Sequence, residues 1–68
     1  MKLNVKLFKG EVSSQNVELP DGSTYFDLLS FLKINPETVV IFKDGIPVAF
    51  DATVEGKKVE IMRVVSGG

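Results

Sequence analysis

The stretch that decides the fold is residues 24–36, Thr-Tyr-Phe-Asp-Leu-Leu-Ser-Phe-Leu-Lys-Ile-Asn-Pro. Apolar residues recur in it at i, i+3, i+4 and i+7, a spacing that places them on one face of a helix. Those residues are Tyr25, Leu28, Leu29 and Leu32. A single helix with a single apolar face needs a sheet to pack against, so the flanking sequence must supply strands.

Both ends of this helix carry recognisable signals. Thr24 followed by Asp27 is a variant of the capping box, with Asp in place of the usual Glu or Gln, and it predicts the start. Asn35 and Pro36 predict the end, because the residue before a proline is excluded from the helical region and the proline ring cannot continue the helix.

Before the helix, the sequence predicts a hairpin. Apolar and polar residues alternate over residues 2–9, the period of a half-buried strand. A turn centred on Gly10 follows, and Val17 and Leu19 then lie on one face of a second stretch. We expect these two stretches to pair antiparallel. Residues 12–16 leave open whether they are strand or loop.

After the helix, the sequence predicts three more strands. Residues 39–42 are apolar on both faces, which indicates a central strand. Asp44 and Gly45 are the preferred pair for a tight hairpin turn. The partner strand should be short and lie at an edge, because Pro47 cannot donate a hydrogen bond. Residues 58–65 return to alternation and form the last strand.

The element order is therefore β-β-α-β-β-β, which predicts an α+β fold of two layers. By analogy with the β-grasp arrangement, a mixed sheet of four or five strands packs on one helix, with the last strand beside the first. A ferredoxin-like fold would need a second helix, and residues 43–58 offer no helical period. We expect a β-grasp domain over residues 1–65 and a flexible Gly-Gly tail over residues 66–68.

The composition argues against several classes of function. The sequence contains no Cys and no His, which excludes disulfides, thiol nucleophiles, Cys/His zinc sites and Ser-His-Asp catalysis within the chain. We therefore expect that it is not an enzyme and holds no metal. A net charge of -1 disfavours nucleic acid, which attracts basic surfaces.

Hydropathy argues against a membrane protein. The longest apolar run, residues 39–42, is far shorter than the roughly 18 to 20 residues of a membrane span. The first residues alternate instead of forming the apolar stretch of a signal peptide. We expect a cytoplasmic protein that is a monomer when free.

The most informative residues follow the last predicted strand, where Ser66, Gly67 and Gly68 come directly after Val65. Two glycines allow the backbone to enter a channel too narrow for a Cβ atom. A partner enzyme could then bring the Gly68 carboxylate against the α-phosphate of ATP. The simpler alternative is that this pair is a frayed end or a cloning remnant.

With these residues the chain resembles the sulfur-carrier and ubiquitin-like modifier group. The group includes the thiamine-type sulfur carrier, the small subunit of molybdopterin synthase, and small ubiquitin-like modifiers that also serve tRNA thiolation. The resemblance rests on residues 44–48 (Asp-Gly-Ile-Pro-Val), residues 54–61 (Val-Glu-Gly-Lys-Lys-Val-Glu-Ile) and residues 65–68 (Val-Ser-Gly-Gly). Lys57 departs from the pattern, because these carriers often have an acidic residue there.

The resemblance implies a carrier function without catalysis by the chain itself. An E1-like adenylating enzyme would activate Gly68, a sulfur donor protein would convert it to a thiocarboxylate, and a sulfur-accepting synthase would consume the sulfur. Gly67 and Gly68 would be the functional residues. No cofactor would be bound, and the acyl adenylate and thiocarboxylate would be transient modifications of the C-terminus.

Two other functions remain open. In one, the same activated Gly68 is joined to lysines of target proteins, which makes the chain a ubiquitin-like modifier. In the other, the chain is a passive β-grasp binding module. Among carriers, the hairpin at residues 44–48 is closer to the thiamine-type carrier or a small modifier than to the molybdopterin subunit.

A partner must also dock on the domain near its tail. If Val59 and Ile61 face the helix, Met62 and Val64 face the other side of the sheet, and a regular first strand adds Phe8 to them. We expect Phe8, Met62 and Val64 to contribute to a partner-docking patch. The alternative for Phe8 is that it folds over an edge of the core.

Overall fold

The computed structural model describes residues 1–64 of the 68-residue chain, and within them lie five strands and two short helices. In chain order these are β1 (Lys2–Lys9), β2 (Glu11–Glu18), α1 (Tyr25–Leu32), a 3-10 helix (Pro36–Thr38), β3 (Val39–Lys43), β4 (Ile46–Pro47) and β5 (Lys58–Arg63). Across residues 1–64, neither helix has the length and apolar character needed to cross a membrane.

The five strands form one mixed sheet in the order β2-β1-β5-β3-β4. β1 and β5 pair in parallel at its centre, and the other neighbours pair antiparallel. The first and last strands are thus side by side, with the helix between them in sequence. This confirms the prediction of an α+β, ubiquitin-like β-grasp fold.

The capping box at the start of α1 is present as predicted. The Thr24 side chain accepts a hydrogen bond from the Asp27 amide at 3.3 Å, and the Asp27 carboxylate accepts one from the Thr24 amide at 2.9 Å. Each residue therefore satisfies a backbone donor of the first turn that has no partner inside the helix.

The predicted end of α1 at Asn35 and Pro36 is wrong, because the helix ends at Leu32. Lys33 adopts the left-handed conformation with φ 59°, and its amide closes the last turn on the Ser30 carbonyl at 3.1 Å. Glycine usually occupies such a position, so a lysine there does not signal a helix end in the sequence. Pro36 instead opens the 3-10 helix.

Residues 12–16, left open by the sequence, belong to β2, which runs without interruption over Glu11–Glu18. Gly10 has φ 86° and makes the tight turn between β1 and β2. Most of β2 is exposed because it is the edge strand of the sheet. An exposed edge strand shows little of the apolar alternation that identifies a strand in sequence.

The turn at Asp44 and Gly45 is confirmed. Both residues have positive φ, 54° and 80°, as a type I′ hairpin turn requires. The following strand β4 is short and lies at the other edge of the sheet, as Pro47 predicted. At the far end of the chain, β5 ends at Arg63. The predicted boundary between a domain of residues 1–65 and a tail of residues 66–68 lies outside the described residues.

The core lies between α1 and one face of the sheet. Val59 and Ile61 of β5 face it, as predicted. The buried hydrophobic residues are Leu3, Val5, Val17, Leu19, Tyr25, Leu28, Leu29, Val39, Ile41, Val54, Val59 and Ile61. The sheet face that does not contact the helix is here called the outer face, and it carries the candidate docking surface.

Candidate docking surface and C-terminal tail

The described part of the chain ends one residue after β5, the central strand of the sheet. β5 is held by β1 on one side and β3 on the other. The pairing with β3 extends one residue beyond the strand, because the Val64 amide donates to the Thr38 carbonyl at 2.9 Å. Gly67 and Gly68, predicted as the adenylated and sulfur-carrying residues, lie outside the described residues. The last described residue, Val64, is thus still hydrogen-bonded to the segment that precedes β3.

Four apolar side chains form a continuous row across the outer face, near the end of β5. The strand register pairs Phe8 with Val12 of β2 and with Met62 of β5, and pairs Met62 with Val40 of β3. We call Val12, Phe8, Met62 and Val40 the apolar row. Val12 and Met62 are 59% and 41% exposed, whereas Phe8 and Val40 are half-buried. The row is accessible to a partner at the end of the sheet where β5 finishes.

The predicted patch residues are placed close together. Phe8 and Met62 are direct neighbours in the parallel ladder. Val64 lies two residues beyond Met62 and is 55% exposed. β1 stays regular to Lys9, so alternation puts Phe8 on the outer face and Leu7 on the core side, where it packs against the core. That these residues dock a partner stays a prediction.

Val12 and Val40 were not predicted as patch residues. Val40 follows buried Val39 and precedes buried Ile41, so alternation alone could have placed it on the outer face. Val12 could not be found in this way, because the sequence left residues 12–16 open. Its place in the row follows from the register of the β1–β2 hairpin, which pairs it with Phe8.

The opposite end of the outer face is polar and hydrogen-bonded. The Asn4 side-chain amide donates to Asn16 Oδ1 at 3.0 Å and to Ser14 Oγ at 3.2 Å across the hairpin. We call Asn4, Ser14 and Asn16 the polar ladder. Between the two ends, Lys6 Nζ lies 6.0 Å from the centroid of the Phe8 ring, within range of a weak cation–π contact.

The acidic side chains of the described residues are dispersed. Among residues 1–64, no group of three or more Asp, Glu, His or Cys side chains lies close enough to hold a metal ion. Asp44 takes part in the type I′ turn and its carboxylate contacts Lys43 Nζ at 3.5 Å.

Comparison with known proteins points to one family. The family model described as small archaeal modifier protein 2 matches residues 1–65. The small archaeal modifier protein 2 of Haloferax volcanii is 37% identical over 59 residues, which is 87% of this chain and 88% of that protein. An uncharacterized protein of Archaeoglobus fulgidus is 46% identical over 68 residues, the full length of both chains.

Solved structures support the fold. A ubiquitin-like protein of Caldiarchaeum subterraneum superposes with a TM-score of 0.63 at 18% identity, covering 98% of this chain and all of that one. A structure described as Caldiarchaeum subterraneum ubiquitin gives a TM-score of 0.67, also at 18% identity, over the whole of both chains. At this identity the likeness is one of fold alone.

Proposed function

Because this chain belongs to the small archaeal modifier protein 2 family, we propose that it is a ubiquitin-like modifier whose C-terminal Gly68 is activated by a separate E1-like adenylating enzyme. The observation that carries the proposal is the match of the family model to residues 1–65. A small ubiquitin-like modifier is not itself an enzyme, so the catalytic groups belong to the partner. This chain supplies the carboxylate and the surface by which it is recognised.

The proposed activation is a condensation of the Gly68 carboxylate with ATP. A carboxylate oxygen attacks the α-phosphorus, pyrophosphate leaves, and an acyl adenylate forms. Glycine suits this step because it has no side chain to obstruct a narrow active-site channel or the carbonyl carbon. In conjugation, a lysine amine of the target protein displaces AMP from the acyl adenylate, or a partner thiol first displaces AMP to form a thioester from which the amine then displaces the thiol, and an isopeptide bond results.

A second candidate, sulfur transfer, uses the same acyl adenylate. Sulfide delivered by a donor protein displaces AMP and leaves a thiocarboxylate on Gly68, which a sulfur-accepting synthase then consumes. The resemblance of the hairpin at residues 44–48 to the thiamine-type carrier favours this candidate, and that hairpin is formed with the expected turn. The acceptor pathway, whether for thiamine, molybdopterin or tRNA thiolation, belongs to this second proposal.

The apolar row and Val64 are the proposed contact surface for the activating enzyme. An enzyme that binds the tail must approach the end of the sheet where β5 finishes, and the apolar row lies at that end. Exposed apolar side chains next to a functional segment are typical of a docking site. Both proposed fates of Gly68 begin with this same encounter.

The test is the intact mass of the protein after incubation with the activating enzyme of its own organism, ATP and a sulfide source. We expect a gain that corresponds to one oxygen replaced by sulfur, and higher-mass conjugates when a cell extract supplies target proteins. The matched control is a variant lacking Gly68, which should show neither product. No adenylate, thiocarboxylate or conjugate on the full chain would leave the passive binding module as the better account.

A further inference from the structure

A second surface at the tail end of the domain lies on the helix side of the sheet. There the ends of β1 and β5, the start of β3 and the turn after α1 surround a solvent-open hollow of about 190 Å³. Three cationic side chains line it, from Lys9, Lys33 and Arg63, and no carboxylate is among its described lining residues. This hollow, here called the basic hollow, adjoins the apolar row, because Phe8 belongs to the row and also lines the hollow.

The three cations come from distant parts of the chain and meet through the fold. Lys9 is the last residue of β1 and Arg63 the last of β5, and these strands run parallel, so they finish at the same end of the sheet. Lys33 joins them because its left-handed conformation ends α1 there and turns the chain toward β3. No local basic run in the sequence indicates this convergence.

The floor of the basic hollow is apolar. Leu7 and Ile34 line it, and although both pack against the core they are only partly buried. Ile61 and Val39 close the bottom. The surface therefore combines an uncovered apolar floor with a cationic rim. An apolar side chain of a partner would fit the floor, since a cavity of about 150 Å³ can hold a ligand the size of benzene.

Other hollows of the domain do not share this charge pattern. A hollow of about 290 Å³ on the outer face is lined by Lys6 and Lys58 but also by Asp44 and Glu60. One of about 510 Å³ at the opposite end of the sheet is lined by Lys2 and Lys57 together with Glu18. The chain as a whole has a net charge of -1, so the single-sign rim beside the tail is a local feature.

We propose that the basic hollow binds an acidic segment of the activating enzyme, one that inserts an apolar side chain flanked by Asp or Glu residues. This rests on the proposed function and adds to it a second contact that grips the domain from the helix side. Carboxylates on the partner complement the rim, and the apolar side chain covers Leu7 and Ile34. A phosphate backbone is a poorer match, because nucleic acid favours a basic track over a pocket with an apolar floor.

The test compares two double variants with the same change in net charge. Lys9→Gln with Lys33→Gln removes two rim cations, whereas Lys2→Gln with Lys57→Gln removes two lysines at the opposite end of the sheet. Arg63 is left intact because it already takes part in another interaction of the structure. The affinity of each variant for the activating enzyme is measured by calorimetry at low and at physiological salt, and sulfur gain is followed by intact mass in parallel.

We expect the Lys9 and Lys33 double variant to bind roughly 2- to 30-fold more weakly, as for two exposed ion pairs. The difference should shrink as salt rises, and the Lys2 and Lys57 variant should bind like the unmodified protein. Equal effects of the two doubles, or none, would overturn the proposal. The proposal would also be overturned if Lys9 and Lys33 were needed for binding single-stranded RNA and not for binding the enzyme.

The outcomes also separate this proposal from the proposed function. If sulfur gain or conjugation is normal and the Lys9 and Lys33 substitutions have no effect on binding, the proposed role of the basic hollow is rejected and the proposed activation of Gly68 is retained. If those substitutions selectively weaken binding but Gly68 is not modified in any variant, the proposed role of the basic hollow is retained and the proposed chemistry is rejected.

Discussion

The two faces of the central strand pair, β1 and β5, differ in function. Alternate residues of each strand point to the core on one face and to solvent on the other. On the helix side, Val5 and Ile61 are fully covered by the core. On the outer face, Phe8 and Met62 of the same two strands meet in a row that is partly open to water. Comparison of the faces shows how eight- and six-residue strands can specify a fold and still present a surface to a partner.

The largest effect expected from this comparison is on stability, at the core face of β5. Ile61→Ala should lower the free energy of unfolding by about 2 to 5 kcal/mol, because Ile61 is 1% exposed and its loss leaves a cavity. Met62→Ala, one residue away on the outer face, should cost under about 1 kcal/mol. Chemical denaturation of both variants measures the difference. Equal losses of unfolding free energy would show that the two faces contribute equally to stability.

The next effect is on binding, at the apolar row. Met62→Asp should weaken binding to the activating enzyme by more than about tenfold, because it places a charge in the middle of the proposed contact. The matched control is Asn16→Asp, which adds the same charge to the polar ladder and keeps an oxygen that can accept from Asn4. Unchanged affinity of the Met62 variant, measured by calorimetry, would exclude the row as the contact surface.

The smallest effect concerns the polar ladder, where hydrogen bonds replace apolar contacts. Asn4→Ala removes both cross-strand side-chain bonds of Asn4 and should destabilise the domain by about 0.5 to 1.5 kcal/mol. Ser14→Ala removes one of them and should cost less. Thermal unfolding ranks the two variants. A larger loss for Ser14 than for Asn4 would mean that the ladder is not held by the Asn4 amide.

Much of the fold could be predicted because its buried elements carry strong periodic signals. The face of α1 with Tyr25 and Leu28, the alternation of β1, and the turn at Asp44 are each fixed by local chemistry. The exposed strand β2 gave a weak signal because solvent contacts both polar and apolar positions at an edge. The early end of α1 gave none, because a lysine holds the left-handed position.

The surfaces were harder to predict than the fold. Phe8, Met62 and Val64 followed from alternation within single strands, which is a local property. Val12 joined them only through the register between strands. The basic hollow depends on three segments meeting, and one of them is positioned by Lys33. A surface that depends on strand register, or on distant segments meeting in the fold, cannot be recognised from any single stretch of sequence.

The central position of β5 has a mechanical consequence. A force that pulls on the chain beyond Val64 acts along a strand that is bonded to β1 on one edge and to β3 on the other. The load is then shared by both ladders in shear, so their hydrogen bonds must rupture together instead of unzipping one at a time. A protein that pulled on this domain through residues beyond Val64 would therefore have to shear both ladders of β5.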